Sequence, residues 1–228
     1  LFFEVMRLAK ERKPRILFAE NVKGLLNHEG GRTFGIIIST MDELGYDVEW
    51  QVLNSKDFGV PQNRERVFII GHLRGTGSRK VFPIRDGSKE VDDLQRQETG
   101  TITTRTGQAS TVGTYIIESK QHAQVKQIIG GSQGNRVYDP SGISVTLSSQ
   151  GGGQGAKTGL YAIPNPKSDG NLEYYIRKLT PKECFRLQGF SDEYFERARA
   201  VNSDSQLYKQ AGNSVTVNVI YEIARRLT

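Results

Sequence analysis

Hydrophobic and polar positions divide the chain into three zones with different periodicity. Residues 1–72 alternate helical and strand patterns, residues 73–175 carry only short strand-like runs, and residues 176–228 return to helical spacing. This order predicts an α/β layer interrupted by a β-rich insert.

The first zone predicts the order helix, strand, helix, strand, strand. The first helix ends near Lys13-Pro14, where proline breaks the period. The apolar run 16–19 predicts a buried parallel strand, and a second helix over 34–44 precedes strands over 46–53 and 66–71. The apolar face predicted for the first helix holds Leu1, Val5, Leu8 and Ala9.

The third zone predicts helices with clear boundaries. A capping box begins at Thr180, with Pro181 at the first helical position, and the helix runs to Gly189. Gly212-Asn213-Ser214 is predicted to start a final helix. The apolar stripe predicted for this helix holds Val217, Ile220, Ala224 and Leu227.

Composition narrows the classes of function. The chain has 31 Lys and Arg against 25 Asp and Glu, a net charge of +6 that favours an anionic partner. With 36% apolar residues and no long apolar run, it predicts no membrane span. One cysteine excludes an internal disulfide or a cysteine-based zinc cluster, and three scattered histidines suggest no metal site. The middle zone holds 16 of the 25 glycines.

Charged residues that flank two predicted strands are candidates for chemistry. Glu20 follows a strand directly, where open α/β sheets place their ligands, although an acid capping the next segment would look the same. Arg64 and Arg66 alternate around Glu65, so both could face one cleft and hold an anion or a carbonyl oxygen. A solvated charge cluster is the alternative.

Two features of the third zone have ordinary explanations beside functional ones. Gly212-Asn213-Ser214 at a helix start would offer backbone N–H groups to a polar cofactor, but Asn and Ser are also common helix caps. Cys184 lies beside Phe185 and Leu187, which favours a packed, inert thiol.

Four segments, taken in order, resemble the carboxyl-terminal part of a DNA (cytosine-5) methyltransferase of the bacterial restriction-modification type. They are Glu20-Asn21-Val22, Phe58-Gly59-Val60-Pro61-Gln62-Asn63-Arg64-Glu65-Arg66-Val67, the run from Arg177 to Phe190, and Tyr208-Lys209-Gln210-Ala211-Gly212-Asn213-Ser214-Val215. Four ordered matches over most of the chain are more specific than any one of them.

The resemblance implies a fold and a division into domains. The fold would be α/β: a partial, Rossmann-like S-adenosylmethionine-dependent methyltransferase domain with an inserted Gly-rich, β-rich target-recognition domain. Residues 1–72 would form the carboxyl-side half of the catalytic domain, residues 73–175 the recognition domain, and residues 176–228 a helical return that closes over the cofactor.

The resemblance also implies catalytic roles. Such enzymes flip a cytosine out of the duplex, and a cysteine thiolate adds to carbon 6 before methyl transfer from S-adenosylmethionine to carbon 5. Glu20 would hold the exocyclic amine and ring nitrogen 3, and Arg66, with Arg64 beside it, would bind the carbonyl oxygen. The residues expected at the cofactor are Asn213, Ser214 and Val215.

Double-stranded DNA is the implied partner. Thr146-Leu147 resembles a pair common in the family's recognition domain, where the following loop faces the major groove. The residues expected to recognise DNA are Thr146, Leu147, Ser148, Ser149, Gln150 and Gln154. No metal or membrane is implied, and the expected location is the bacterial cytoplasm, at the nucleoid.

Two motifs of the family are missing from these 228 residues: its Gly-rich cofactor loop and its Pro-Cys nucleophile. Both belong upstream of Leu1 in the family, so the chain is expected to be a fragment that is inactive alone. A two-chain methyltransferase, in which a second subunit or the amino-terminal half brings the nucleophile, stays open. So does a non-catalytic, sequence-specific DNA-binding module.

Overall fold

The structure is a computed structural model that describes residues 1–77, 79–84, 124–132, 135–148, 158–164 and 174–227. The chain forms two compact units. The first comprises Leu1–Leu53, Glu65–Glu118 and Glu222–Thr228, and the second comprises Asn54–Arg64 and Ser119–Tyr221. The three predicted domains, with borders after residues 72 and 175, stay a prediction.

The first unit has the predicted order of helix, strand, helix, strand, strand. Its elements are α1 (Phe2–Arg12), β1 (Ile16–Val22), α2 (Arg32–Glu43), β2 (Tyr46–Asn54) and β3 (Glu65–Leu73). The sheet order is β1-β3-β2, and β1 pairs with β3 in antiparallel orientation, from Ile16 opposite His72 to Val22 opposite Arg66.

The expectation of a buried parallel strand at 16–19 is wrong for the pairing that the structure describes. The neighbour of β1 is the antiparallel β3, and only one face of β1 is buried. Leu17 is buried, whereas Phe18 is 42% exposed and stacks on Phe68. The sequence of four consecutive apolar residues does not show that buried and exposed positions alternate, because an exposed aromatic residue cannot be told from a buried one by its type.

The core of the first unit lies between the helices and one face of the sheet. Its buried members are Met6, Ala9, Leu17, Phe34, Ile38, Met41, Tyr46, Val67 and Ile69. The face predicted for α1 is wrong except at Ala9, since Leu1, Val5 and Leu8 are exposed and Met6 is buried. Helix α1 carries two overlapping apolar stripes, and the one through Met6 and Ala9 packs here.

The second unit contains a small sheet followed by helices. The elements that the structure describes after β3 are β4 (Gln127–Ile129), β5 (Val137–Tyr138), β6 (Leu160–Pro164), β7 (Tyr174–Lys178), α3 (Pro181–Leu187), α4 (Asp192–Arg199), α5 (Asp204–Asn213) and α6 (Val217–Leu227). Helix α6 continues past the border after Tyr221 into the first unit. The sheet order is β4-β5-β6-β7, with β5 and β6 parallel and the outer pairs antiparallel.

Helices α3, α4 and α5 share one apolar cluster. Its buried members are Leu147, Cys184, Phe185, Phe195, Leu207, Tyr208 and Ala211. Along α6 the predicted stripe is wrong in part, because Val217 and Ala224 are exposed whereas Val219 and Ile223 are fully buried. Val219 and Ile223 are four residues apart and define the buried face of α6, and Val217 and Ala224 lie outside that face.

Within the described ranges, every helix is too short or too polar to span the apolar interior of a bilayer.

The predicted capping box at the start of α3 is confirmed. The Thr180 hydroxyl accepts from the Glu183 N–H, and the Glu183 carboxylate accepts from the Thr180 N–H. Glu183 also forms a two-pronged ion pair with Arg177, at 2.8 and 2.9 Å. The Arg177 hydrogen bonds, followed by those from Thr180, lower the pKa of Glu183 from its ordinary 4.5 to about 2.

We therefore expect Glu183→Gln to lower the free energy of unfolding near neutral pH by about 1 kcal/mol, a modest value because solvent screens the one third of the side chain that is exposed. Because the folded-state pKa is depressed, this stabilisation is complete above pH 4.5 and is lost as the pH falls towards 2. Urea unfolding of the wild type and the variant, from pH 7 down to about 3, measures this difference in free energy.

Glu193→Gln is the matched control, since Glu193 lies in the first turn of α4 and its side chain is 70% exposed in its pair with Arg197. It should change the free energy of unfolding little at any pH. If Glu183→Gln lowered the free energy of unfolding equally at every pH, the lowered pKa of Glu183 would not be the source of the stabilisation.

Candidate active site

Glu20 and Arg66 form an ion pair in the first unit. Because Glu20 lies opposite Phe68 in the antiparallel register, Arg66 occupies the diagonal position two residues away on the same face. The Arg66 Nε lies 2.9 Å from the Glu20 Oε1. The side chains are 14% exposed for Arg66 and 25% for Glu20, so both are largely buried yet reachable from solvent.

Burial and the charge of Glu20 have opposite effects on the pKa of Arg66. Desolvation lowers the pKa of Arg66, and the charge of the Glu20 carboxylate and its hydrogen bond raise it in part. The Arg66 Nη1 also donates to the backbone carbonyl of Glu65 at 2.8 Å, which orients the guanidinium. A carboxylate and a guanidinium held side by side can accept hydrogen bonds from an amine and donate to a carbonyl oxygen of one planar ligand.

A second ion pair, between Lys23 and Glu65, also links the end of β1 to the start of β3, but it is exposed. The Lys23 Nζ lies 2.9 Å from the Glu65 Oε1, and the side chains are 55% and 43% exposed. The two pairs have equal lengths but differ in exposure, which makes the second a natural reference for the first.

Arg64 does not share the surroundings of Arg66. It belongs to the second unit and is 2% exposed. Its guanidinium donates to the backbone carbonyls of Leu147, Gly212 and Ser214, at 3.1, 2.9 and 2.9 Å. Strand alternation does not place Arg64 beside Arg66, because β3 begins at Glu65 and Arg64 precedes the strand.

The turn around Asn213 is not the start of a helix, contrary to the prediction. Asn213 is the last residue of α5, Ser214 caps that end, and α6 begins only at Val217. This end of α5 carries the negative end of the helix dipole, so the argument for binding an anionic group does not hold. Asn213 is exposed, Ser214 and Val215 are half-buried, and the Ser214 hydroxyl donates to the Ala211 carbonyl.

Of the six residues expected to recognise DNA, the structure describes the first three. The Thr146 hydroxyl donates to the backbone carbonyl of Asn63, and Leu147 is buried in the cluster of α3, α4 and α5. Both therefore attach the segment to the second unit. Ser148 is half-buried and follows this attachment point. The remaining three, Ser149, Gln150 and Gln154, lie outside the described residues.

Buried polar residues of the second unit form a chain that our sequence analysis missed. The Gln188 Nε2 donates to the Ala211 carbonyl, and the Gln188 Oε1 accepts from the Thr216 hydroxyl, each at 3.0 Å. The Thr216 hydroxyl lies 2.7 Å from the Ser55 hydroxyl. Gln188 and Thr216 are at most 1% exposed and Ser55 is 3% exposed. The sequence around Gln188 mixes polar and apolar residues, so it carries no clear signal of this burial.

Cys184 has the packed environment that its neighbours predicted. It is 1% exposed, and burial raises the pKa of its thiol to about 12. At neutral pH the thiol stays protonated, so it is a poor nucleophile. Among the residues that the structure describes, no three His, Cys, Asp or Glu side chains are grouped so that they could hold a metal ion.

A double-mutant cycle measures how strongly Glu20 and Arg66 interact. We expect Glu20→Gln, Arg66→Gln and the double variant to give a coupling energy of about 1–2 kcal/mol in urea unfolding, because each single change leaves a largely buried charge unpaired. The cycle for Lys23→Gln and Glu65→Gln is the control and should give about 0–0.5 kcal/mol. Equal coupling in both cycles would contradict the partly buried geometry.

Comparison with known proteins identifies the family of the chain. The family model for C-5 cytosine-specific DNA methylases matches residues 1–228. The type II methyltransferase M.HhaI of Haemophilus parahaemolyticus is 37% identical over 231 residues, which cover 98% of this chain and 66% of the relative. M.HpaII of Haemophilus parainfluenzae is 34% identical over 236 residues, which cover 100% of this chain and 64% of the relative. The chain thus spans just under two thirds of their length.

Solved structures show the fold. The Entamoeba histolytica methyltransferase EhMeth aligns with a TM-score of 0.60 at 16% identity, covering 99% of this chain and 68% of that one. The S. pombe Dnmt2 methyltransferase aligns with a TM-score of 0.60 at 17% identity, covering 99% and 70%. The α/β fold is therefore that of these methyltransferases, and the chain belongs to the C-5 cytosine-specific DNA methylase family.

Proposed function

We propose that the protein containing this chain is a DNA (cytosine-5) methyltransferase that modifies a flipped-out cytosine within a specific duplex sequence. The observation that carries the proposal is the Glu20–Arg66 pair, at 2.9 Å, in a chain that belongs to this family. The edge of cytosine presents an amine donor, a ring nitrogen that accepts and a carbonyl oxygen. Arg66 and a protonated Glu20 together offer complementary groups to all three.

In the proposed reaction, a cysteine thiolate adds to carbon 6 of the base, and the displaced π electrons move towards ring nitrogen 3 and the carbonyl oxygen. For this step the Glu20 carboxyl is protonated: its O–H gives nitrogen 3 the proton, and its other oxygen accepts a hydrogen bond from the exocyclic amine. Arg66 donates to the carbonyl oxygen, where negative charge develops. Carbon 5 then takes the methyl group. Water removes the proton from carbon 5 as the thiolate leaves carbon 6, and nitrogen 3 returns its proton to Glu20.

The nucleophile must be a cysteine other than Cys184. That thiol is buried, and its raised pKa of about 12 keeps it protonated. A further segment of the protein or a second subunit would supply the thiolate.

The residues around Asn213 fit a role beside S-adenosylmethionine only in part. The exposed Asn213 amide can hydrogen-bond a polar group of the cofactor, and the half-buried Val215 offers an apolar contact. The Ser214 hydroxyl is already bonded to Ala211, so its place is in the turn itself. When bound, the cofactor supplies the methyl group.

The proposed partner is double-stranded DNA. Thr146 and Leu147 attach their segment to the second unit, and the residues after them would reach the base edges in the major groove: Ser148, Ser149, Gln150 and Gln154. The net charge of +6 supports binding to phosphates. On this proposal the second unit carries target recognition.

A non-catalytic DNA-binding module is the second candidate, and the buried state of the single cysteine favours it. The Glu20–Arg66 pair speaks against it, because a protein that only binds DNA needs no groups that hold a flipped cytosine. The two candidates differ in whether methyl groups are transferred.

Variants of the pair test the proposed reaction. We expect Glu20→Gln to lower kcat by about 10²–10⁴-fold through loss of proton transfer. Arg66→Gln should lower it by about 10²–10³-fold through loss of charge stabilisation. Transfer of a labelled methyl group to plasmid DNA by the full-length protein measures both.

Cys184→Ala is the control and should keep the wild-type rate, because its thiol takes no part in the reaction. A loss of transfer in folded Cys184→Ala, together with an active Glu20→Gln protein, would contradict the assigned roles.

The charge of the chain predicts a salt-dependent affinity for DNA. With four or more phosphate contacts, we expect the affinity for a duplex to fall by roughly 100-fold or more between about 50 and about 200 mM salt. Fluorescence anisotropy with a labelled duplex measures the slope. An affinity that does not change with salt would contradict binding through phosphates.

A further inference from the structure

Arg64 joins two segments that lie far apart in sequence. Its Nη1 donates to the carbonyl of Leu147, near the start of the segment expected to recognise DNA. Its Nη2 donates to the carbonyls of Gly212 and Ser214, in the turn expected at the cofactor. One side chain, 2% exposed, thereby bridges residues separated by more than sixty positions.

The chemistry of arginine makes this bridge stiff. A guanidinium is planar and always charged, so its N–H groups point in fixed directions. The Gly212 and Ser214 carbonyls lie at the carboxyl end of α5, where the negative end of the helix dipole favours a cation. A movement of this turn relative to Leu147 would therefore break a charged hydrogen bond in a buried place.

The backbone beside Arg64 holds the residues that lead up to Leu147. The Ser144 N–H donates to the Pro61 carbonyl at 2.7 Å, and the Asn63 N–H donates to the Ser144 carbonyl at 2.9 Å. The Thr146 hydroxyl then donates to the Asn63 carbonyl. The segment from Ser144 to Leu147 is thus fixed to the same short stretch that carries Arg64.

The turn at the other end of the bridge is held by a second set of bonds. Gln188 bonds the Ala211 carbonyl and the Thr216 hydroxyl, on either side of the turn. The Val217 N–H donates to the Gln188 carbonyl at 2.9 Å. These bonds restrain the turn on both sides, in addition to the two bonds from Arg64.

We propose that Arg64 is a positioning residue that couples cofactor binding to target recognition, by holding the Gly212–Ser214 turn and the end of the Thr146-Leu147 segment on one guanidinium. The inference rests on the proposed function, which places the cofactor at the turn and DNA after Leu147. It assigns to Arg64 a role different from that of Arg66, two residues further along the chain.

The test compares cofactor affinity with and without DNA. Bisulfite sequencing of plasmid from cells that express the full-length protein first identifies the methylated site. The Kd of S-adenosylhomocysteine is then measured by calorimetry, alone and with a duplex carrying that site. We expect DNA to tighten binding to the wild-type protein, and this tightening to shrink by about 5-fold or more in Arg64→Lys, which keeps the charge but not the planar fork.

Selectivity is the second readout. Bisulfite sequencing of the same plasmid should show more methylation at sites that differ by one base in cells expressing Arg64→Lys. Arg197→Lys is the matched control, because Arg197 is exposed on α4 of the same unit, and it should match the wild type in both readouts.

Thr146→Val provides a variant that folds if Arg64→Lys does not. Thr146 is exposed, and the change removes only its bond to Asn63. It too should reduce the DNA-induced tightening and the selectivity.

The outcomes separate the two proposals. If the wild-type protein methylates no DNA, the proposed function fails. If it methylates DNA but shows no DNA-induced tightening, or if Arg64→Lys weakens cofactor binding equally with and without DNA, the coupling is overturned. A folded Arg64→Lys protein with wild-type tightening and selectivity overturns it as well.

Discussion

The antiparallel register between β1 and β3 is the constraint on which the candidate active site depends. Glu20 and Arg66 meet only because Glu20 lies opposite Phe68. A slip of one residue would turn one of the two side chains to the other face of the sheet. The register is held by the buried face, where Leu17 packs with Val67 and Ile69 in the core of the first unit. Hydrophobic burial on one face thus positions charged groups on the other.

The two arginines of the Asn63-Arg64-Glu65-Arg66 run illustrate how burial changes the use of one side chain. Arg66 is largely buried beside a carboxylate and keeps some contact with solvent, which suits a group that binds a ligand. Arg64 is fully buried and binds backbone carbonyls, which suits a group that holds segments together. Both carry the same charge, so the different roles that we propose for them rest on their surroundings.

Much of the local structure could be predicted from the sequence. The order of elements from α1 to β3 follows from hydrophobic periodicity, and the Thr180–Glu183 capping box follows from local hydrogen bonding within four residues. The packed state of Cys184 followed from its apolar neighbours. These patterns depend on residues close together in sequence, so they can be interpreted without the tertiary structure.

The errors arose where distant residues decide the outcome. Pattern alone cannot tell which of two apolar stripes on α1 packs, since Leu8 and Ala9 are adjacent and only Ala9 is buried. The turn at Asn213 was assigned to the wrong end of a helix, because Asn and Ser occur at both ends. The burial of Arg64 depends on Leu147 and Gly212, which no spacing rule connects to it.

Family membership and the Glu20–Arg66 pair lead us to expect that the full-length protein methylates carbon 5 of cytosine in DNA. Mass spectrometry of nucleosides tests it most directly, using DNA and RNA from a methylation-free host that expresses the full-length protein. We expect 5-methylcytosine in the DNA of this host, and far less of it in a host that carries the Glu20→Gln variant. Methylation confined to RNA or to another base, or equal 5-methylcytosine with the variant, would contradict it.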